Sequence, residues 1–500
     1  METVQLGQKP SDPKLTAQTL AEQTPAKQSL ADMRRGACPA LSTPMMTGDG
    51  FLARVALTDA ISPKQLAELC RLAIWHGNGM LDISARGNLQ IRGLGEISAP
   101  KLDADVRAMN LPLRDGLAVE TPPLAGMDGM EIADPRPLAQ AIRDGASGIT
   151  GLAPKMTVVV DGGGRLRLSE LLADIRLMAV RADGEVLWKL LLGGSEESGR
   201  LFNVLRETQA VAATVEILQR MAAMGRSARG RDLAADLPLR DDAGPVANPP
   251  RSSSHLSRGS DHDAKHDPSQ MLGTSPSMTE IFGAATSPFD LFALSDDLHA
   301  IGIGPAFGQV KAEALATLCE EAACLGITQV KPALDHSLLF FGAKNACEAL
   351  QKFAAVAGFI TRADDPRGHI AACPGSPACR SATIPTHDIA AEAARDCADL
   401  LDGSFTLHIT GCHKGCAHPQ ASALALCGTA DGVSFVADGK ASDAPFAYSA
   451  FVDTNATLRR LAELVKSERR AGENSAACLA RIGSNRLGTQ AQSGQMPGRP

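Results

Sequence analysis

Two stretches of the chain repeat one succession of apolar and polar positions. In the first, Phe51-Leu-Ala-Arg-Val-Ala-Leu57 reads as a strand, and Ile61 to Ala73 as a helix with Pro63 in its first turn and apolar residues at helical spacing. Met80 to Ser84 and Leu89 to Arg92 follow as strands. In the second, Ala306-Phe-Gly-Gln-Val310 leads into a helix over Ala314 to Ala323, with strand candidates at Gln329-Val330 and Ser337 to Phe341. The motif L-x-x-L-C-x-x-A, at Leu66 to Ala73 and again at Leu315 to Ala322, falls at the same place in each succession. Internal duplication of an α+β unit is the economical reading, and two similar helices arisen independently are the alternative.

The periodic segments are separated by polar ones. Residues 1–30 are rich in Gln, Thr and Pro and read as a flexible leader. Residues 236–285 are dense in Pro, Ser, Asp and Gly, a composition with too little apolar surface to form a core, and read as a disordered linker. His255, His262 and His266 fall inside it, where a solvated polar segment is a better reading than a metal site. Residues 466–500 read as a tail. The intervening chain divides into a half-domain at 31–115, a larger α+β domain at 116–235, a second half-domain at 286–360 and a second larger domain at 361–465.

Composition narrows the function. Five hundred residues suggest about three folding units at ~150 residues each, and 44% apolar residues suffice for real cores. A net charge of −7 argues against a general binder of nucleic-acid backbone, and 3% aromatics against base-stacking platforms. No apolar run reaches the ~20 residues of a membrane span, and the first residues lack the apolar core of a secretory signal. A cytoplasmic location with reduced thiols is therefore expected, and the twelve cysteines need an explanation other than disulfides.

Four of them supply one. Ala-Cys373-Pro-Gly-Ser-Pro-Ala-Cys379 and Gly-Cys412-His-Lys-Gly-Cys416 pair cysteines in turn-rich loops. Gly375, Gly411 and Gly415 let backbone amides come close, and amide hydrogen bonds to sulfur offset the negative charge of an iron–sulfur cluster. Four thiolates in two short loops suit a 4Fe–4S cluster. A structural zinc site is the alternative, but zinc usually takes a shorter gap than the five residues between Cys373 and Cys379. His413 and His418 flank the second pair, as loop hydrogen-bonding residues or, less simply, as ligands or proton donors. Cys70, Cys319, Cys324, Cys347 and Cys397 sit in Ala- and Leu-rich helical patterns and read as small core residues; Cys38, Cys427 and Cys478 have no evident partner.

At these residues the chain resembles the nitrite/sulfite reductase superfamily. The two cysteine loops, Ser84-Ala-Arg86-Gly-Asn-Leu-Gln90, Thr121-Pro-Pro-Leu-Ala-Gly-Met-Asp128 and the segment Leu152 to Gly164 around Lys155 carry the likeness, which spans about residues 31–465. It implies an α+β fold, internally duplicated, with two ferredoxin-like half-domains each followed by a larger α+β domain and the cluster in the second copy. Within the superfamily, Met33 to Gly50 is most similar to the opening of the precorrin-3B synthases, which act in aerobic cobalamin formation. Three departures from the nitrite and sulfite reductases point the same way. No Asn lies between Cys412 and Cys416, Thr157 stands at the second lysine position, and Leu117 aligns with an expected arginine, Arg114 being only nearby. A depleted cation set fits a small oxyanion poorly.

The resemblance implies O₂-dependent hydroxylation of precorrin-3A at C-20 with γ-lactone closure. Arg54, Arg86 and Lys155 would bind its carboxylates, and Cys373, Cys379, Cys412 and Cys416 the cluster. It further implies a second iron centre, either sirohaem or mononuclear iron, with Cys416 bridging where haem is bound. An external electron donor, a reductase or ferredoxin with NAD(P)H upstream, is also implied, since the chain has no dinucleotide fingerprint after a strand and no added flavin domain. A sirohaem nitrite or sulfite reductase and a non-catalytic electron carrier are the alternatives. No acid–base residue is singled out.

Overall fold

A computed structural model describes residues 39–236 and 287–493. The expected leader, all but the first residue of the expected linker with its three histidines, and Cys38 lie outside the described residues.

The first unit contains β1 (Met45–Met46), β2 (Phe51–Val55), α1 (Pro63–His76), β3 (Met80–Ile83), β4 (Leu89–Leu94) and α2 (Ser98–Ala108). Ser62 and Gln65 form a capping box at the start of α1, with Pro63 in the first turn, so the sequence signal and the cap coincide. The second unit has β5 (Ala118–Glu120), α3 (Arg136–Ala146), β6 (Thr157–Asp161), β7 (Ala173–Ala182), β8 (Glu185–Gly194), β9 (Arg200–Leu205), α4 (Glu207–Met224) and α5 (Gly230–Asp236). The third has β10 (Leu291–Ala293), β11 (His299–Ile303), β12 (Gln309–Lys311), α6 (Ala312–Cys324), β13 (Gln329–Pro332), β14 (Leu338–Gly342) and α7 (Lys344–Val356). The fourth has β15 (Ile370–Ala372), α8 (Thr386–Asp396), β16 (Leu407–Thr410), β17 (Ser422–Gly428), β18 (Val433–Gly439), β19 (Ala447–Ser449), α9 (Thr454–Glu468) and α10 (Ser475–Gln492).

The fold is α+β and internally duplicated. The larger sheets run β5-β6-β7-β8-β9 and β15-β16-β17-β18-β19, each parallel over its first three strands and antiparallel thereafter. The register matches too: Ala118 pairs with Thr157 as Ile370 pairs with Leu407. The two smaller units share one core. Leu66, Leu69, Cys70 and Ala73 of α1 pack into the same apolar cluster as Leu315, Leu318, Cys319 and Ala322 of α6, all at most 1% exposed. The repeated motif is thus the seam between the copies, its Ala and Cys small enough to let two helices approach closely. Burial pushes the Cys70 thiol up to about 12, which leaves it inert.

In the segment 306–310, Ala306–Gly308 is a 3₁₀ turn, and β12 leaves its own unit to pair with β3, Gln309 opposite Asp82. Two expectations need correction. Cys324 is exposed at the end of α6, whereas Cys427 and Cys478 are buried. Residues 466–500 do not form a loose tail as far as they are described. In α10, Cys478, Leu479, Leu487 and Ala491 are buried in the core of the fourth unit. Asn474 caps its first turn, and Ser475 donates to Asp402 Oδ2 through its amide at 2.8 Å and its hydroxyl at 2.9 Å. The Gly483 kink, φ +75°, and many Gly, Ser and Asn residues hide that apolar stripe from a periodicity reading.

Candidate functional site

The two cysteine loops leave the ends of β15 and β16, adjacent parallel strands, and so emerge side by side. Cys373 extends the ladder through its amide to the Ile409 carbonyl, and its sulfur, buried, accepts the Gly411 N–H at 3.2 Å. Thr383 N donates to the Gly411 carbonyl at 2.9 Å, so each loop holds the other. Two glycines make this approach possible. A Cβ on Gly411 would lie 2.4 Å from Ala382 Cβ, and Gly375, at φ +66°, faces Thr386 at an equally forbidding 2.4 Å. Cys379 closes a turn onto Gly375 O at 2.7 Å. Burial and the nearby Cys412, Cys373 and Cys379 push the Cys416 thiol up, so the four sulfurs lie in one another's field.

This arrangement fits the chemistry of an iron–sulfur cage. Among the described residues no three His, Cys, Asp or Glu side chains stand close enough to hold one metal ion. A four-iron cage takes one thiolate at each corner, and the Gly411 amide on the Cys373 sulfur is the kind of hydrogen bond that offsets its negative charge. Of the flanking histidines, His413 is exposed, and His418 stacks edge-on against the buried His408 at 5.7 Å.

The sheet of the first unit faces these loops with a polar row. Arg54 of β2 lies opposite Gln90, Gln90 opposite Asp82, and Asp82 opposite Gln309. Beside the row, Arg92 donates to both Asp49 oxygens at 3.0 and 2.9 Å, to Asp82 at 2.8 Å and to the Ala378 carbonyl in the first cysteine loop at 3.2 Å. Gly48 N also donates to Ala378 O, at 3.0 Å. His387, held below the ordinary histidine value by burial, lies in the field of Asp82, Arg92 and His336. His336 Nδ1 is 2.5 Å from the Ile83 carbonyl. Sequence reasoning missed Arg92, Asp82, His336 and His387. The signal for Arg92 was its place two residues after Gln90, on the same strand face.

The three expected carboxylate binders are dispersed. Arg54 stands in the polar row, Arg86 lines a separate cleft beside the second unit, and Lys155 is exposed just before β6. The depleted positions are structural: Thr157 is buried, its amide on Asp174 at 3.0 Å, and Leu117 packs against the core of the second unit. Arg114 pairs with Glu120.

The profile described as nitrite/sulfite reductase ferredoxin-like half domain matches residues 43–109. A precorrin-3B synthase from a Sinorhizobium species is 37% identical over 471 residues, 93% of this chain and 96% of that protein. Ferredoxin–nitrite reductases are similar over shorter spans. The Synechococcus elongatus enzyme is 28% identical over 31% of this chain and 33% of its own, and the chloroplastic enzyme of Zea mays 31% identical over 29% and 28%. In fold, the solved structure of Mycobacterium tuberculosis NirA matches with a TM-score of 0.61 over 87% of this chain and 84% of that one, at 17% identity. Among the described residues no helix is long and apolar enough to cross a membrane.

Proposed function

The chain belongs to the precorrin-3B synthase family, within the nitrite/sulfite reductase superfamily, and on that premise we propose that it hydroxylates precorrin-3A at C-20 with O₂ and closes a γ-lactone. The chain is an oxidoreductase acting on a tetrapyrrole. The carrying observation is likeness to a precorrin-3B synthase over nearly the whole of both chains, against about a third for the nitrite reductases. The buried Thr157 and the core-packed Leu117, where a small-anion site would carry cations, support the same choice.

Cys373, Cys379, Cys412 and Cys416 would hold a 4Fe–4S cluster, which supplies single electrons when bound. A second iron centre, either sirohaem or mononuclear iron, is part of the same proposal. The protein's own part is binding and orientation. Arg92 fixes the first cysteine loop against the sheet, and Arg54 offers a guanidinium on that sheet face to a carboxylate. Arg86 and Lys155 are the further proposed carboxylate binders. Inserting one oxygen atom and releasing water consumes two electrons and two protons per O₂. An external reductase or ferredoxin, supplied by NAD(P)H, would deliver those electrons.

Incubation with precorrin-3A, reductant and ¹⁸O₂ should place one labelled oxygen in the product. Ammonia from nitrite or sulfide from sulfite, with precorrin-3A unchanged, would replace this reading with the reductase one.

A further inference from the structure

The cleft that Arg86 lines has charge that nothing in the fold consumes. It is an open cleft with a cavity of about 50 Å³ where the two small units meet the second, between the β3–β4 turn, β13, and the loop after β5. Four cations line it, Arg86, Arg114, Arg143 and Lys331, against one carboxylate, Glu120, which Arg114 already holds. Lys331 is decisive. It is only 9% exposed, yet its ammonium makes no hydrogen bond or close ion pair with any described residue. Asp59 and Glu120 favour its charge from a distance, Arg136 and Arg143 oppose it, and burial lowers its pKa. Arg143 donates to the Val119 carbonyl at 2.8 Å, but its Nε is buried without a partner. A buried cation is normally paired or hydrogen-bonded.

We propose that this cleft is a carboxylate-binding site, in which Lys331 and Arg143, with Arg86 at the rim, grip a carboxylate group. Guanidinium edges and an ammonium match carboxylate geometry, and the apolar remainder of the wall, including Leu57, Leu168 and Leu334, suits the carbon skeleton that carries it. The choice of carboxylate rests on the tetrapyrrole reading, whose substrate bears its charge as acetate and propionate arms. The cleft sits beside Thr121-Pro-Pro-Leu-Ala-Gly, the loop that occupies the place of the first cysteine loop in the other half. It is therefore separate from the cluster. The group it grips is either an arm of the tetrapyrrole or a free polycarboxylate.

The test is equilibrium binding to the cluster-loaded full chain, with uroporphyrin as the tetrapyrrole probe and citrate as the free one. Lys331→Met and Arg143→Gln are compared with the unsubstituted protein, and inorganic phosphate serves as the control anion. A loss of at least tenfold in uroporphyrin affinity in both variants assigns the site to a tetrapyrrole arm. Saturable citrate binding lost in both, with uroporphyrin unaffected, assigns it to a free polycarboxylate. Unchanged binding of both probes overturns the proposal, as does phosphate binding that matches both carboxylates. Removing an unpaired buried ammonium should leave the melting temperature of ligand-free Lys331→Met unchanged or higher, and iron content unchanged, so misfolding is separable from a lost site. Because no turnover is read, failure of the ¹⁸O₂ experiment and failure of this one are distinct results.

Discussion

The two larger sheets share strand order and register, but their leading loops are held together by different chemistry. In the fourth unit the loops after β15 and β16 present four thiols and almost no charge of their own beyond Lys414 and Arg380. In the second unit the corresponding loops are stitched by acids. Asp128 accepts the Arg165 amide at 2.5 Å, two guanidinium hydrogen bonds from Arg165 at 3.1 and 2.9 Å, and the Met130 amide at 3.1 Å. Asp161 accepts the Gly163 amide, and Glu131 the Gly126 amide. The sheets that face these loops differ in the same sense. The row Arg54, Gln90, Asp82 has its counterpart in Gly302, Leu339, Lys331. Leu339 and Phe341 pack directly on Leu124 and Leu166. One copy fills its interface largely with apolar contact and ion pairs, which stabilise; the other lines it with polar side chains beside the thiols.

That division is tested most severely at the thiols. Cys412→Ser should abolish iron loading, seen as loss of the cluster's broad visible absorption and of iron and sulfide by assay. Asp128→Ala in the matching loop should leave both intact. Zinc in place of iron in the unsubstituted protein would contradict the cluster assignment.

Asp128→Ala should instead act on stability. The carboxylate is 1% exposed and its removal strands the Arg165 guanidinium and two amides, so a cost of about 3 kcal/mol is expected by urea unfolding. Arg165 also reaches across to the Ala293 carbonyl at 2.9 Å and lies over the Phe292 ring. Loss of its anchor should therefore loosen the contact between the second and third units as well. A cost below about 0.5 kcal/mol would show that the loop is held by Leu124 and its apolar neighbours alone.

The duplication was legible because one signal, L-x-x-L-C-x-x-A, is local and periodic, and its Leu66, Leu69, Leu315 and Leu318 are the buried seam. The cysteine loops were legible because spacing alone carries ligand chemistry; their mutual lacing through Gly411 and Thr383 was not, being set by parallel strand pairing. The pairing of β12 was not legible, because a three-residue strand carries no information about its partner. Nothing in the sequence marks Lys331 and Arg92 as buried, since burial depends on what packs against the sheet from the other units. Helix α10 was taken for tail because its apolar residues are sparse and a glycine interrupts the period.

The smallest effect separates the halves by pH. Burial raises the Glu131 carboxyl to about 7, the Gly126 amide opposes the rise, and Asp134 and Asp128 add to it. The folded chain therefore keeps a proton that the unfolded chain releases from about pH 4.5 upward. The stability this gives is present below pH 4.5 and lost as pH rises through 7. Glutamine imitates the protonated acid and can still accept the Gly126 amide. Because Glu131 is only partly buried, solvent screening holds the gain in Glu131→Gln to about 1 kcal/mol at pH 8. At pH 5, where the native carboxyl is already protonated, the gain should vanish. Calorimetry at the two pH values should show a melting temperature about 2 °C higher for the variant at pH 8 only. No acid stands among the residues of either cysteine loop, so this alkaline penalty should belong to the copy that exchanged thiols for carboxylates. An equal gain at both pH values would mean that the Glu131 carboxyl does not change its charge between them, and would remove the alkaline penalty.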